Sequence, residues 1–131
     1  IFPNKNVFSF ELKKSDLKPA ENALHLDCCF QPIGQGFAII YENGFKNKSD
    51  INLLIDIFGN NNLIRISKQE MYEMNSNVFS ISENIIVSEM GFNRLNNILR
   101  EKGFIVEEIK FSEIAKMEGL LRCATLPLYR K

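Results

Sequence analysis

No excess of either charge marks this chain. Sixteen Lys and Arg are matched by sixteen Asp and Glu, so charge gives no basic face for nucleic acid or an anionic membrane. Long hydrophobic runs are missing too: the apolar stretches are a few residues long, short of the roughly 20 that a membrane-spanning helix needs. Residues 1–10 lack the charged start and apolar stretch of a signal peptide. Cysteine is scarce and odd in number: Cys28, Cys29 and Cys123. Read as strand neighbours, Cys28 and Cys29 point to opposite faces and make a poor pair, so no disulfide framework is expected and a reducing cytoplasm is. There is no CxxC, and one histidine, His25, is too few for the usual zinc sets. No metal and no cofactor is expected.

What is present suits a packed domain. Apolar residues make up 45% of the 131, ordinary for a globular chain, and the length fits one domain over 1–131. The chain opens on Ile1, and its first residues, with Pro3, Pro19 and Lys13-Lys14, show little periodicity. This reads as the C-terminal part of a longer polypeptide.

Two stretches repeat one order of elements, over about 24–68 and 77–111. In the first, residues 24–30 and 36–41 read as strands. Asn43-Gly44 marks a turn. Ser49 offers a cap to a helix whose stripe is Ile51, Leu54, Ile55 and Phe58, closed by Gly59, and residues 63–67 alternate as a third strand. In the second, 78–82 and 85–89 are strands. Phe92, Leu95, Ile98 and Leu99 form a helical stripe ending before Gly103, and 104–111 is the closing strand. The closing glycines lie 44 residues apart. An α/β array of ββαβ units follows, with partial units at both ends. Ser112 is read as capping a short helix through Met117, and 120–125 as the start of another strand, ended by Pro127.

Three side chains carry chemistry. Cys123, beside Arg122, is the candidate nucleophile, although the commoner role of a free cysteine is a small buried apolar residue. His25 is the candidate acid/base, since an imidazole's ordinary pKa near 6.5 suits proton donation to a leaving amine and removal of a proton from water; a hydrogen-bonded structural histidine is the plain alternative. On a strand Asp27 shares His25's face and would orient the imidazole or hold a cationic group, against the alternative of a carboxylate bonded to backbone. By the same parity Cys29 shares that face and Cys28 looks away; both read as packing. Asn77, Glu83 and Glu89 flank strands and say little alone. Gly34-Gln35-Gly36 lacks the further glycine or lysine of a phosphate cradle.

Taken together, His25-Leu26-Asp27, the segment Asn77-Val78-Phe79-Ser80-Ile81-Ser82 and the ending Arg122-Cys123-Ala124-Thr125-Leu126-Pro127-Leu128 resemble the C-terminal half of the guanidino-group-modifying superfamily. Its members include arginine deiminases, glycine amidinotransferases, dimethylarginine dimethylaminohydrolases and a bacterial branch of amidinotransferases or citrulline hydrolases. The likeness runs from about Leu24 onwards and is strongest to that last branch. It implies a pentein, five ββαβ units around a pseudo-fivefold axis, of which this chain would form about half. It also implies roles: Cys123 as nucleophile on the guanidinium or ureido carbon, His25 as general acid/base, Asp27 as the carboxylate binding the guanidino nitrogens, and Asn77 near the rim of the substrate site. Two departures stand out. The family precedes its cysteine with a glycine pair where this chain has Leu120-Leu121, and the family's other acidic motif belongs to an N-terminal half not found here.

The resemblance therefore implies the C-terminal catalytic portion of a guanidino- or ureido-group hydrolase or amidinotransferase. It would act on arginine- or citrulline-like cationic or zwitterionic substrates through a covalent cysteine adduct. The competing reading is a truncated, non-catalytic pentein serving as a binding or assembly module; a small cysteine protease is disfavoured, because none of those local motifs occurs. Half a propeller exposes strand edges, so association with a second copy or with the missing half is expected.

Overall fold

The computed structural model describes residues 5–111, 113 and 119–126. Two three-stranded sheets carry the fold. The first contains β1 (Phe30–Pro32), β2 (Ala38–Ile40) and β3 (Leu63–Arg65), with helix α1 (Lys48–Phe58) between β2 and β3. The second contains β4 (Phe79–Ser80), β5 (Ile85–Glu89) and β6 (Ile105–Ile109), with helix α3 (Asn93–Glu101) between β5 and β6; α2 (Lys68–Tyr72) joins the two units.

Both sheets have the same wiring. The order is β1-β2-β3 and β4-β5-β6; the first pair is antiparallel and the second parallel in each. Each parallel pair needs a crossover, which the intervening helix supplies. The central strands are the apolar ones. Ile39 sits opposite both Gln31 and Ile64 and is fully buried, as are Ile40, Ile86, Leu54, Leu95 and Leu99. The helix stripes thus pack on their own sheets, as their spacing predicts.

The expected boundaries shift in instructive places. α1 starts two residues earlier, with Asn47 rather than Ser49 at its N-terminal boundary and no side-chain cap there. β3 stops at Arg65, because Ser67 is taken by a capping box: its hydroxyl accepts from the Glu70 N–H while Glu70 accepts from the Ser67 N–H. Residues 24–29 are not a strand; of the expected segment only Phe30 belongs to β1. Cys28 and Cys29 donate backward to the carbonyls of His25 and Leu26, winding Leu26–Cys28 into a 3-10 turn. A strand would send the two cysteines to opposite faces, whereas the turn buries both and leaves Leu24 and Leu26 exposed. Residues 121–124 likewise form a turn, not a strand, with Ala124 donating to the Leu120 carbonyl. The helix expected at 112–117 and the strand end at Pro127 lie outside the described residues.

Gly34-Gln35-Gly36 joins the two units. A Cβ on Gly34 would lie 1.9 Å from the Glu83 carbonyl oxygen, so only glycine allows this approach. Gln35 donates to the Asn84 side chain at 2.8 Å. The opening residues are also tied in: Lys13 donates to the Gly44 carbonyl and Lys46 to that of Glu11, both at 2.8 Å. Among the described residues, no helix is long and apolar enough to cross a membrane.

Candidate active site

Three irregular segments meet beside a cavity of about 810 Å³, whose walls include Asp16, His25, Cys28, Glu89, Leu120 and Cys123. The first segment is the 3-10 turn at Leu26–Cys28. His25 stands at its N-terminal boundary and is exposed, Asp27 is half-buried, and Cys28 is buried. Lys14 fixes the approach to this turn by donating to the carbonyls of Ala23 and Leu24.

The second segment follows α2. Met74 takes a left-handed conformation, φ 65°. Its N–H donates to the Met71 carbonyl and that of Asn75 to the Glu70 carbonyl, the paired bonds of a Schellman helix ending. Glycine normally occupies that position, so a methionine there carries strain of roughly 1–2 kcal/mol. The reversal, closed by the Asn77 N–H on the Met74 carbonyl, turns Ser76 and Asn77 into the interior, where both are fully buried. Glu70 anchors α2 from outside. Burial pushes its carboxyl up, but hydrogen bonds from Arg94 and Ser67 win and hold it below the ordinary value. Arg94 grips both oxygens at 2.6 Å.

The third segment is the turn at 121–124. Leu120 and Leu121 are buried and anchor it, while Cys123 is exposed. The two leucines that replace the glycine pair thus serve the core, and Leu120 also lines the cavity.

These segments are joined by side chains. Cys123 Sγ lies 3.4 Å from Asp27 Oδ2. Asn77 Nδ2 donates to Asp27 Oδ2 at 3.2 Å and to Cys123 Sγ at 3.1 Å. Asn77 Oδ1 accepts from the N–H groups of Arg122, at 3.0 Å, and Cys123, at 3.2 Å. Ser76 donates to the Asp27 carbonyl at 2.8 Å. The structure therefore brings together the four residues singled out in sequence, with His25 and Cys123 facing the same cavity. It places Asn77 differently from expected. The residue is not on the rim: it is fully buried and all four of its amide hydrogen-bonding positions are taken by protein, leaving none for substrate.

The cysteines also differ from the strand reading. Cys29, fully buried, donates to the Leu26 carbonyl, and burial pushes its thiol up to about 12, which removes it as a nucleophile at neutral pH. Cys28 does not look away; it lines the cavity, with its thiol also pushed up by burial. His25, Asp27 and Cys28 each offer a ligand atom within 4.8 Å of the others. This grouping is hidden from sequence spacing because the turn, not a strand, creates it. Sequence reasoning also passed over Asp16 and Glu89 as cavity residues. Glu89 carried only a strand-end signal; it is buried and accepts from the Phe111 N–H at 2.5 Å.

Comparison with known proteins places the chain in a family. Residues 6–130 match the family described as N,N dimethylarginine dimethylhydrolase, eukaryotic. The uncharacterized protein YkgA of Bacillus subtilis is 34% identical over 114 residues, 87% of this chain and 38% of that protein. AgrE of Nostoc, a bifunctional arginine dihydrolase/ornithine cyclodeaminase, is 29% identical over 107 residues, 81% of this chain and 15% of that one. The N-terminal domain of ArgZ, a cyanobacterial arginine dihydrolase solved with its product, superposes with a TM-score of 0.79 at 25% identity, covering 94% of this chain and 42% of that domain. The chain spans less than half the length of each of these relatives. It belongs to the N,N dimethylarginine dimethylhydrolase family, within the guanidino-group-modifying penteins, and its ββαβ units are part of a pentein.

Proposed function

We propose that this member of a guanidino-modifying family is the C-terminal catalytic portion of a guanidino- or ureido-group hydrolase or amidinotransferase acting on arginine- or citrulline-like substrates. The observation that carries the reading is that Cys123, whose sulfur lies within 3.4 Å of the Asp27 carboxylate and the Asn77 amide, lines one cavity with His25. A thiol beside a carboxylate suits a planar cationic carbon. Asp27 Oδ1 is buried with no hydrogen-bond partner among the described residues, a state that costs about 1–3 kcal/mol and that a local opening to admit a guanidinium N–H would relieve.

In the hydrolytic case the Cys123 thiolate adds to the guanidinium carbon, forming a C–S bond and a tetrahedral intermediate. A C–N bond then breaks, with His25 giving its proton to the departing amine. The thiouronium-type adduct that remains is attacked by water, whose proton returns to His25. Collapse breaks the C–S bond, regenerates the thiolate and releases the ureido product. An amine in place of that water gives amidino transfer. The chain covers a minor part of its relatives' length, so we infer that a complete site draws on further segments, in the same polypeptide or in an associated copy.

Incubation with 2-chloroacetamidine, a guanidinium mimic that alkylates thiols, followed by peptide mapping, tests the reading. Selective modification of Cys123 over Cys28 and Cys29 is expected. No modification, or equal modification of all three, would sink it in favour of a binding or assembly module.

A further inference from the structure

We propose that Asn77 is the positioning residue of the Cys123 nucleophile: its carboxamide fixes the cysteine-bearing turn through one end and holds the sulfur beside the Asp27 carboxylate through the other. The inference rests on the reading of Cys123 as nucleophile and deepens it.

The orientation of the amide is forced. One end faces two backbone N–H donors, of Arg122 and Cys123, and must be the oxygen; the other faces a carboxylate oxygen and a sulfur and must be the nitrogen. Both N–H bonds of Nδ2 are used, one on each of two groups that are themselves 3.4 Å apart. The Cys123 thiol itself donates to Asp27 Oδ2, so Nδ2 bridges both members of a hydrogen-bonded pair and fixes their geometry. No described residue but Asn77 bonds side chain to side chain with both groups. The carboxamide is fully buried, so its cost is repaid only if every bond is made, and here every bond goes to the turn or to the two reactive groups. The strained Met74 reversal is what sends the residue inward. Asn77 has no free position with which to touch substrate, so its effect on chemistry passes through Cys123 and Asp27.

The test is the pH profile of alkylation of the 131-residue chain by iodoacetamide, mapped separately at Cys28, Cys29 and Cys123. In the wild type Cys123 reacts first. Asn77→Ala removes the donor and the acceptor; Asn77→Ser keeps a small acceptor near the turn without adding charge. In both, the pH at which Cys123 alkylation reaches half its plateau rate should rise by about one unit, a roughly tenfold loss of rate below the midpoint, while Cys28 and Cys29 stay protected. A merely structural role would not move that midpoint in a folded variant. Unchanged Cys123 midpoints in variants whose Cys28 and Cys29 remain protected overturn the inference alone. Loss of protection at Cys28 and Cys29 in both variants also overturns it, because Asn77 would then be holding the fold rather than the thiol. A wild-type Cys123 no faster than Cys29 would instead remove the nucleophile reading on which the inference stands.

Discussion

The turn at Leu26–Cys28 and the turn at 121–124 are built alike and end in unlike chemistry. Each is a short irregular segment closed by backward N–H bonds: Cys29 onto the Leu26 carbonyl in one, Ala124 onto the Leu120 carbonyl in the other, both at 3.0 Å. Each presents a thiol. The first turn runs straight into β1, so Cys29 is carried under the sheet against Gly44, where an added Cβ would lie only 2.7 Å from the cysteine's own. The second turn is held by a side chain from elsewhere, Asn77, and Cys123 stays exposed beside a carboxylate. The lesson is that the secondary structure of a cysteine says little about its reactivity. What decides is whether the surroundings offer water, a donor and a partner charge, or only apolar atoms.

The sharpest way to break that contrast is to make the same substitution on both sides of it. Cys123→Ser should lower turnover of an arginine-like substrate by at least about a thousandfold in the assembled enzyme, while changing the unfolding free energy by less than about 0.5 kcal/mol, as expected for an exposed position. Cys29→Ser should do the reverse, leaving turnover near normal and costing about 1–3 kcal/mol, since a hydroxyl would be buried against one distant carbonyl. Steady-state rates and urea unfolding read the two arms. A Cys29→Ser protein that lost turnover at full stability would show that the contrast is drawn in the wrong place.

A second substitution sharpens the buried side. Gly44→Ala would place its Cβ 2.7 Å from Cys29 Cβ and 3.2 Å from the sulfur, an overpacking that costs typically about 2 kcal/mol. If Cys29 is the obstacle, Gly44→Ala combined with Cys29→Ala should be less destabilised than the two single variants predict by addition. Strict additivity in urea unfolding would mean that Tyr41, whose ring is 3.3 Å from the same point, sets the limit instead.

The fold was more legible than the site. Helical stripes such as Ile51, Leu54, Ile55 and Phe58, and the glycines at 59 and 103 with φ of 84° and 91°, mark local preferences that tertiary contacts reinforce, so the doubled ββαβ order can be read from pattern. Cys123, His25 and Asp27 were legible as candidates from their residue types, and their specific roles only through resemblance to a family. What pattern could not yield was the geometry joining them. Residues 24–30 read as a strand, yet Leu24 and Leu26 are exposed, and the segment is wound instead by the N–H groups of Cys28 and Cys29 onto the His25 and Leu26 carbonyls. Asn77's role escaped for a related reason: its partners are 46 and 50 residues away, and nothing local to Asn77 announces a bond to either.

The smallest expected effect concerns alkali, and it isolates Cys29. Its thiol is raised from an ordinary value of 9.0 to about 12 by burial, with the neighbouring Cys28 adding to the shift. A group raised in the folded state contributes stability that is complete below its unfolded value and is lost as pH climbs through the folded one. The window therefore runs from about 9 to about 12, and within it the unfolded chain gives up its proton while the folded chain does not, so stability falls as pH rises. By pH of about 10 the loss attributable to Cys29 is about 1 kcal/mol. Lysines, tyrosines and Cys28 also respond there, which makes the comparison between proteins more telling than either curve alone. Cys29→Ala should start less stable at neutral pH, yet its unfolding free energy should decline less steeply above pH of about 9 than that of the wild type. Parallel curves would mean that Cys29 ionises in the folded chain as readily as in the unfolded one, and the chemical distinction between the two turns would have to be sought in access alone.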